Sequence, residues 1–141
     1  LGLSLNWRIG SGENSLADRS FSQASYTSGY RSRLPLSPVH LKAAGSVGKG
    51  FTASWIRRDR NDLGDWNAVE TVMSEVDERY TAILTFASGV EIAKETNLPE
   101  AVFAASEILS AVPAGDTVSS LTVAQMRASY GAGDQAILAL D

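Results

Sequence analysis

The sequence contains no cysteine and a single histidine, and this scarcity removes several classes of site. Without cysteine there is no disulfide, no thiolate metal ligand and no cysteine nucleophile. With His40 as the one imidazole, neither a Ser–His–Asp triad nor a zinc site with several histidines can be assembled within the chain. The Gly-x-Ser-x-Gly motif of serine hydrolases is also missing. We therefore expect no catalytic residue, no bound metal and no cofactor.

Positive charge and long apolar segments are scarce too. The 12 Lys and Arg residues against 16 Asp and Glu residues give a formal net charge of -4 at pH 7. This balance argues against a protein whose main ligand is a nucleic-acid backbone. No segment approaches the length of an apolar membrane span, so we expect no membrane insertion. The chain begins at Leu1 without a signal segment, and we expect it to be a piece of a larger protein.

Two of the few prolines mark a boundary in the chain. Pro35 and Pro38 each hold the preceding residue extended. Before this boundary, residues 1–35 are rich in Ser and Gly, with strand-like alternation only over 1–7. They are predicted to form an extended arm or linker from an upstream domain, either packed on a neighbour or partly mobile. Residues 36–141 are predicted to form the folded domain.

Short apolar-alternating segments separated by turn residues fill the second part of the chain. This pattern is typical of a β-sandwich or a small barrel. The most strand-like segment is 80–86, which combines aromatic and β-branched residues. Ser88 and Gly89 predict a hairpin turn after it. Further strands are predicted at 39–43, 51–55, 69–73, 90–93, 121–124 and 136–140, with residues 131–133 linking the last two.

The segment 99–112 allows two interpretations. It is rich in Ala and Glu with apolar residues at helical spacing, and Pro113 could end a helix. In a sandwich the same residues would form a short strand near 101–104 and then a helical turn over 106–111. We favour the second interpretation.

A series of short motifs occurs along the chain in a characteristic order. It comprises Leu-Ser-Pro-Val-His-Leu at 36–41, Trp-Ile-Arg-Arg at 55–58, Gly-Asp-Trp at 64–66, Tyr80 at the head of a strand, Val-Ala-Gln-Met at 123–126 and Gly-Ala-Gly at 131–133. Together these motifs resemble the C-terminal region of the tail-tip hub protein of gene transfer agents and related tailed phages. That hub protein carries a glycosidase-like barrel domain upstream. The resemblance covers residues 34–138.

The more general part of this resemblance is the fibronectin type III pattern. That pattern has a proline-led first strand, a Trp on the second strand and a Tyr that begins the third. Trp55 and Tyr80 match these positions, and two such aromatics would fill the space between the sheets. The usual tyrosine near the sixth strand is missing, since Ser119 and Leu121 occupy that neighbourhood. The resemblance implies an all-β, fibronectin type III-like (immunoglobulin-like) sandwich with a short helical turn.

The same resemblance implies a function by contact rather than by catalysis. It predicts a structural and binding domain of a phage-like tail-tip (baseplate hub) protein, touching neighbouring tail proteins or the host cell surface. It further implies a homotrimer in the assembled tail and a location at the virion tail tip, extracellular after release. The alternative is a carbohydrate-binding accessory module of a surface-degrading enzyme, with a host-surface glycan as partner.

The candidate interaction loop consists of Arg57, Arg58, Arg60 and Trp66. A loop-borne aromatic beside arginines suits a protein interface or a sugar-stacking platform. The other interpretation is that Trp66 folds back over the end of the sandwich and closes the core.

Acidic residues near this loop suggest two other chemistries, neither of which we favour. Residues 59–70 partly match the spacing of an EF-hand calcium loop, but Leu63 stands where an oxygen ligand is needed. A polar loop with internal Arg–Asp pairing is the preferred interpretation. Asp77 and Glu78 could suggest glycoside hydrolysis, but neighbours in one polar segment do not show two carboxyls facing across a cleft. We expect both carboxylates, like His40, at the solvated surface.

Overall fold

The computed structural model describes residues 2–15, 17–27, 29–60 and 77–140. The strand predicted at 69–73 and the side chain of Trp66 lie outside these ranges. The chain divides into two compact units, Leu1–Arg33 and Leu34–Asp141.

The first unit contains a β-hairpin. Strand β1 (Ser4–Ile9) pairs antiparallel with strand β2 (Ser22–Thr27), and a short 3-10 helix follows at Tyr30–Arg33. The alternation at 1–7 indicated β1, but nothing in the Ser-rich sequence of β2 indicated a strand. Every residue of both strands is exposed.

In its described residues, the second unit is an all-β sandwich with one short helix. Its elements are β3 (Val39–Ser46), β4 (Gly50–Ile56), β5 (Tyr80–Phe86), β6 (Glu91–Thr96), β7 (Glu100–Phe103), α1 (Ala105–Ala111), β8 (Val118–Arg127) and β9 (Gly131–Ala139). One sheet has the strand order β3-β4-β7 and the other the order β6-β5-β8-β9, with antiparallel neighbours throughout. The predicted all-β sandwich with a short helical segment is confirmed.

The core lies between the two sheets and follows the alternation of the strands. In β5 every second residue from Tyr80 to Phe86 is buried, as the period-two geometry of a strand requires. These side chains pack in one cluster with inward-facing residues of the opposite sheet. The largest members of the cluster are Trp55, Tyr80, Leu84, Phe86, Phe103, Ile108 and Leu121.

The segment after Pro99 is a strand followed by a helix, which confirms the interpretation favoured from the sequence. Strand β7 pairs with β4 through residues 100–103, and α1 then connects β7 to β8. The helix is attached to the core through Ile108, its one buried side chain. It ends where the Val112 N–H donates to the Ile108 carbonyl over 2.9 Å, directly before Pro113.

The last hairpin differs from the prediction in its turn. Residues 131–133, predicted as the link, are the first residues of β9, and the turn lies at 128–130. Gly133 is required by a close approach of the backbone, because a Cβ atom there would stand 2.4 Å from the Pro35 carbonyl oxygen. His40, at the start of β3, has a φ of 52° beside a break in the β3–β4 register and is exposed, as expected.

Candidate interaction surface

One end of the sandwich gathers the segments that carry most of its charged loop residues. We call it the loop end and define it by residues 57–60, 77–79, 97–99 and 127–130. Backbone hydrogen bonds join these segments: the Met126 N–H donates to the Arg79 carbonyl over 2.7 Å, and the Trp55 N–H donates to the Pro99 carbonyl over 3.1 Å. The strand register places Tyr80 opposite both Thr96 and Gln125, next to the loop end.

A polar cluster of Arg57, Glu78 and Tyr80 stands beneath this surface. The Arg57 guanidinium donates to Glu78 Oε2 over 2.9 Å, and the Tyr80 hydroxyl donates to Glu78 Oε1 over 2.7 Å. The side chains of Arg57 and Glu78 are only 23% and 17% exposed. Because one carboxylate holds both partners, the chain entering the 57–79 connection is fixed to the chain leaving it.

The environment of Tyr80 favours its neutral form. Burial raises the pKa of the Tyr80 hydroxyl well above its usual range, and the hydrogen bond to Glu78 and the charge of that carboxylate raise it further. The Arg57 charge lowers this pKa by a smaller amount. The Trp55 indole N–H also lowers it weakly, from a position that falls short of hydrogen-bonding geometry. The phenol therefore serves as a hydrogen-bond donor that orients Glu78, not as an acid or base near neutral pH.

Two buried polar atoms beside the cluster have no hydrogen-bond partner among the described residues. They are Trp55 Nε1 and Gln125 Oε1. Gln125 is almost fully buried and lies opposite Tyr80 in the strand register. A buried polar group without a hydrogen bond lowers the stability of the folded state. Trp55 Nε1 and Gln125 Oε1 therefore make the core near the loop end less stabilising than the apolar centre of the sandwich.

The described residues of the loop end carry more positive than negative charge, while the sequence of the 57–79 connection also contains Asp62, Asp65, Glu70 and Glu75. Its described charged residues are Arg57, Arg58, Arg60, Arg79 and Arg127 against Asp59, Asp77 and Glu78. Arg79 and Asp77 both line two open depressions, one together with Glu78 and Asn97 and the other together with Arg127 and Gly131. Guanidinium groups bind carboxylates and other planar oxyanions through two parallel hydrogen bonds. The exposed guanidinium groups of Arg58 and Arg79 can therefore donate to a carboxylate or another hydrogen-bond acceptor of a partner.

The residues of the candidate interaction loop have different surroundings in the structure. Arg57 is part of the polar cluster, and Arg60 Nε donates to the Leu34 carbonyl over 2.9 Å, which attaches the loop to the start of the domain. Arg58 is exposed, whereas Asp59 beside it is buried. Trp66 lies outside the described residues.

Sequence reasoning missed the role of Glu78, which we expected at the solvated surface. Only Asp77 is exposed; Glu78 is mostly buried and holds two partners. The signal available was its spacing, since a residue two positions before Tyr80 lies on the same side of an extended chain. Its partner Arg57, 21 positions earlier in the sequence, could not be deduced from spacing. Arg79 and Arg127 were likewise not singled out.

Neither a metal centre nor a membrane-spanning helix is found in the part of the chain that the structure describes. Comparison with protein-family profiles found no match, and comparison with curated protein sequences found none either. The fold and the loop end thus define the class of this protein, an all-β sandwich with an arginine-rich loop end.

Proposed function

We propose that this chain is a structural and binding domain of a phage-like tail-tip (baseplate hub) protein. In this proposal it acts by contact and not by catalysis, and its location is the tail tip of the virion. Its partners are neighbouring tail proteins or the host cell surface, and the assembled tail holds three copies. The motifs between residues 34 and 138 support this assignment through their resemblance to that hub region.

The observation that best supports a binding role is that hydrogen bonds hold the loop end in place on the sandwich. The polar cluster holds both ends of the 57–79 connection against the core, so the residues around Arg58 and Arg79 are presented from a rigid support. Recognition by loops on a rigid β-scaffold is a common arrangement in sandwich domains, because the loops can vary without disturbing the core. An ordered guanidinium also loses less entropy on binding than a mobile one.

A binding measurement with charge-reversed variants tests this role. The purified chain is immobilised and exposed to isolated tail-tip proteins. We expect Arg58→Glu to weaken the binding about tenfold or more, the effect of removing a charged contact at an interface. The matched control is Lys49→Glu, because Lys49 is exposed in the β3–β4 turn at the other end of the sandwich. Equal loss in both variants, or no binding by the wild-type chain, would contradict the proposal.

A glycan array separates the sugar-binding alternative from the tail-protein role. Our proposal predicts no specific glycan binding that depends on the candidate loop. Specific binding that is lost in Trp66→Ala, together with no affinity for tail proteins, would establish the carbohydrate-binding module instead.

A further inference from the structure

The N-terminal hairpin has one apolar face and one polar face. Cross-strand pairing puts Leu5 beside Tyr26, Trp7 beside Ala24 and Ile9 beside Ser22 on one face. The opposite face carries Ser4, Asn6, Arg8, Gln23, Ser25 and Thr27, and the Ser25 hydroxyl there donates to Asn6 Oδ1 over 2.8 Å. This separation follows from the period of two in both strands. We call the first of these surfaces the ribbon face.

The ribbon face is exposed although its residues are those of a protein interior. Leu5, Trp7, Ile9 and Tyr26 expose between 40% and 63% of their surfaces, and Leu3, just before β1, exposes 70%. A two-stranded hairpin alone in water is marginally stable at best. A patch of this composition on a folded protein marks an interaction site. The sequence and the pairing therefore indicate that this face is covered when the protein works.

The shape of the ribbon face is self-complementary. Its β1 side is a ridge of large side chains, Leu5, Trp7 and Ile9, whereas its β2 side is low at Ala24 and Ser22. When two such faces meet, the ridge of one fits over the low side of the other, as the side chains of two packed sheets interdigitate. Trp7 of one copy would then lie over Ala24 of the next.

Charge and area agree with this pairing. No charged residue lies on the ribbon face, since Arg8 belongs to the polar face, so two copies meet without repulsion between like charges. The exposed apolar side chains offer on the order of 500 Å² per copy. Two faces together remove about 1,000 Å² from water, which reaches the lower limit for a specific protein interface. The ribbon face offers no ion pair to a charged partner.

We propose that the ribbon face is a self-association surface, on which the hairpin of a second copy of this chain packs with its ridge over the low side at Ala24. This inference rests on the hairpin alone and is independent of the tail-tip assignment.

Site-directed labelling of the full chain tests the inference, because the protein has no cysteine of its own. Ala24→Cys puts a thiol on the ribbon face, and Gln23→Cys puts one on the polar face one residue away. Both variants are examined by sedimentation equilibrium before and after alkylation with a bulky maleimide. Labelling is done on folded protein, and circular dichroism checks that the fold is kept.

We expect the wild-type chain and both unlabelled variants to sediment as a multiple of 15.0 kDa at micromolar concentrations. Alkylation of Ala24→Cys should give the single-chain mass and alkylation of Gln23→Cys should not. A wild-type chain that stays a monomer throughout the concentration range would overturn the inference. An oligomer that survives alkylation of Ala24→Cys would overturn it as well.

Discussion

The indole of Trp55 and the phenol ring of Tyr80 meet edge to face between the two sheets, with ring centroids 5.2 Å apart and ring planes inclined at 65°. Trp55 lies on β4 and Tyr80 is the first residue of β5, so this contact joins the two sheets next to the loop end. Aromatic pairs in this geometry contribute beyond the area that they bury. The same Tyr80 holds Glu78, so the contact connects the core to the loop end.

Removal of the Trp55 ring is expected to destabilise the domain strongly. Trp55→Ala should lower the free energy of unfolding by about 3–5 kcal/mol, the range for a large buried aromatic. Urea unfolding, monitored by circular dichroism, measures this change in the free energy of unfolding. Ile56→Ala is the control, because the neighbouring side chain points outward and is 54% exposed. Ile56→Ala should lower the free energy of unfolding by about 1 kcal/mol or less. Similar losses in the two variants would show that the aromatic contact does not support the sandwich.

Glu78 is expected to matter more than an ordinary surface carboxylate. Glu78→Ala leaves Arg57 and the Tyr80 hydroxyl without their common partner, and we expect a loss of about 1–3 kcal/mol in the free energy of unfolding. The comparison is Lys94→Ala, which breaks the Lys94–Glu107 pair, a contact of 2.8 Å that is 35% exposed on both sides. That exposed pair should contribute less than about 1 kcal/mol. If the two substitutions cost the same, the polar cluster is not the anchor of the loop end.

The raised pKa of Tyr80 predicts a loss of stability in alkali. The folded protein holds the phenol proton more tightly than the unfolded chain, so this contribution is complete below about pH 10, the unfolded value. It declines as the pH rises above that value. Tyr80→Phe should therefore be less stable than wild type at pH 8, and the difference should shrink in more alkaline solution. Unfolding curves in urea over this pH range measure the trend, with the exposed Tyr26→Phe as control. A difference that grows with pH would contradict the assigned environment.

Gly133 is expected to tolerate no side chain. Gly133→Ala brings a Cβ atom against the backbone of Pro35, which cannot swing away as a flexible side chain would. We expect a loss of about 1–3 kcal/mol from this overpacking. Gly48→Ala is the matched control, since a Cβ atom there meets nothing within 4 Å. Its effect on the thermal midpoint should be small. Equal tolerance at both positions would mean that β9 is free to move away from Pro35.

The parts of the fold that sequence could predict are those set by local pattern. The regular alternation from Tyr80 to Phe86 predicted both the strand and the face that points inward. The resemblance to the fibronectin type III pattern predicted that Trp55 packs against Tyr80. The parts that it could not predict depend on distant residues. Strand β2 exists because β1 pairs with it, although its own Ser-rich sequence is not strand-like. The Gly-Ala-Gly sequence at 131–133 suggested a turn, but Gly133 is there to admit Pro35.

The structure shows contacts of the candidate interaction loop that the sequence did not predict. The arginines at 57, 58 and 60 were singled out from composition, and the structure gives them different surroundings. Arg57 is bound by Glu78 and Arg60 by the Leu34 carbonyl, contacts that link residues more than 20 positions apart. Only the folded chain shows that Arg58 and Arg60 are exposed, whereas Arg57 is partly buried.

The central claim, that this domain belongs to a tail tip, is tested most directly by locating the chain on particles. Antibodies raised against the purified chain are bound to particles from induced cultures of the source organism, and gold-labelled secondary antibody is viewed by electron microscopy. We predict gold at the distal end of the tail, with no label on particles from a strain lacking the gene. Label on the capsid, or purified particles in which the chain is absent, would contradict the account.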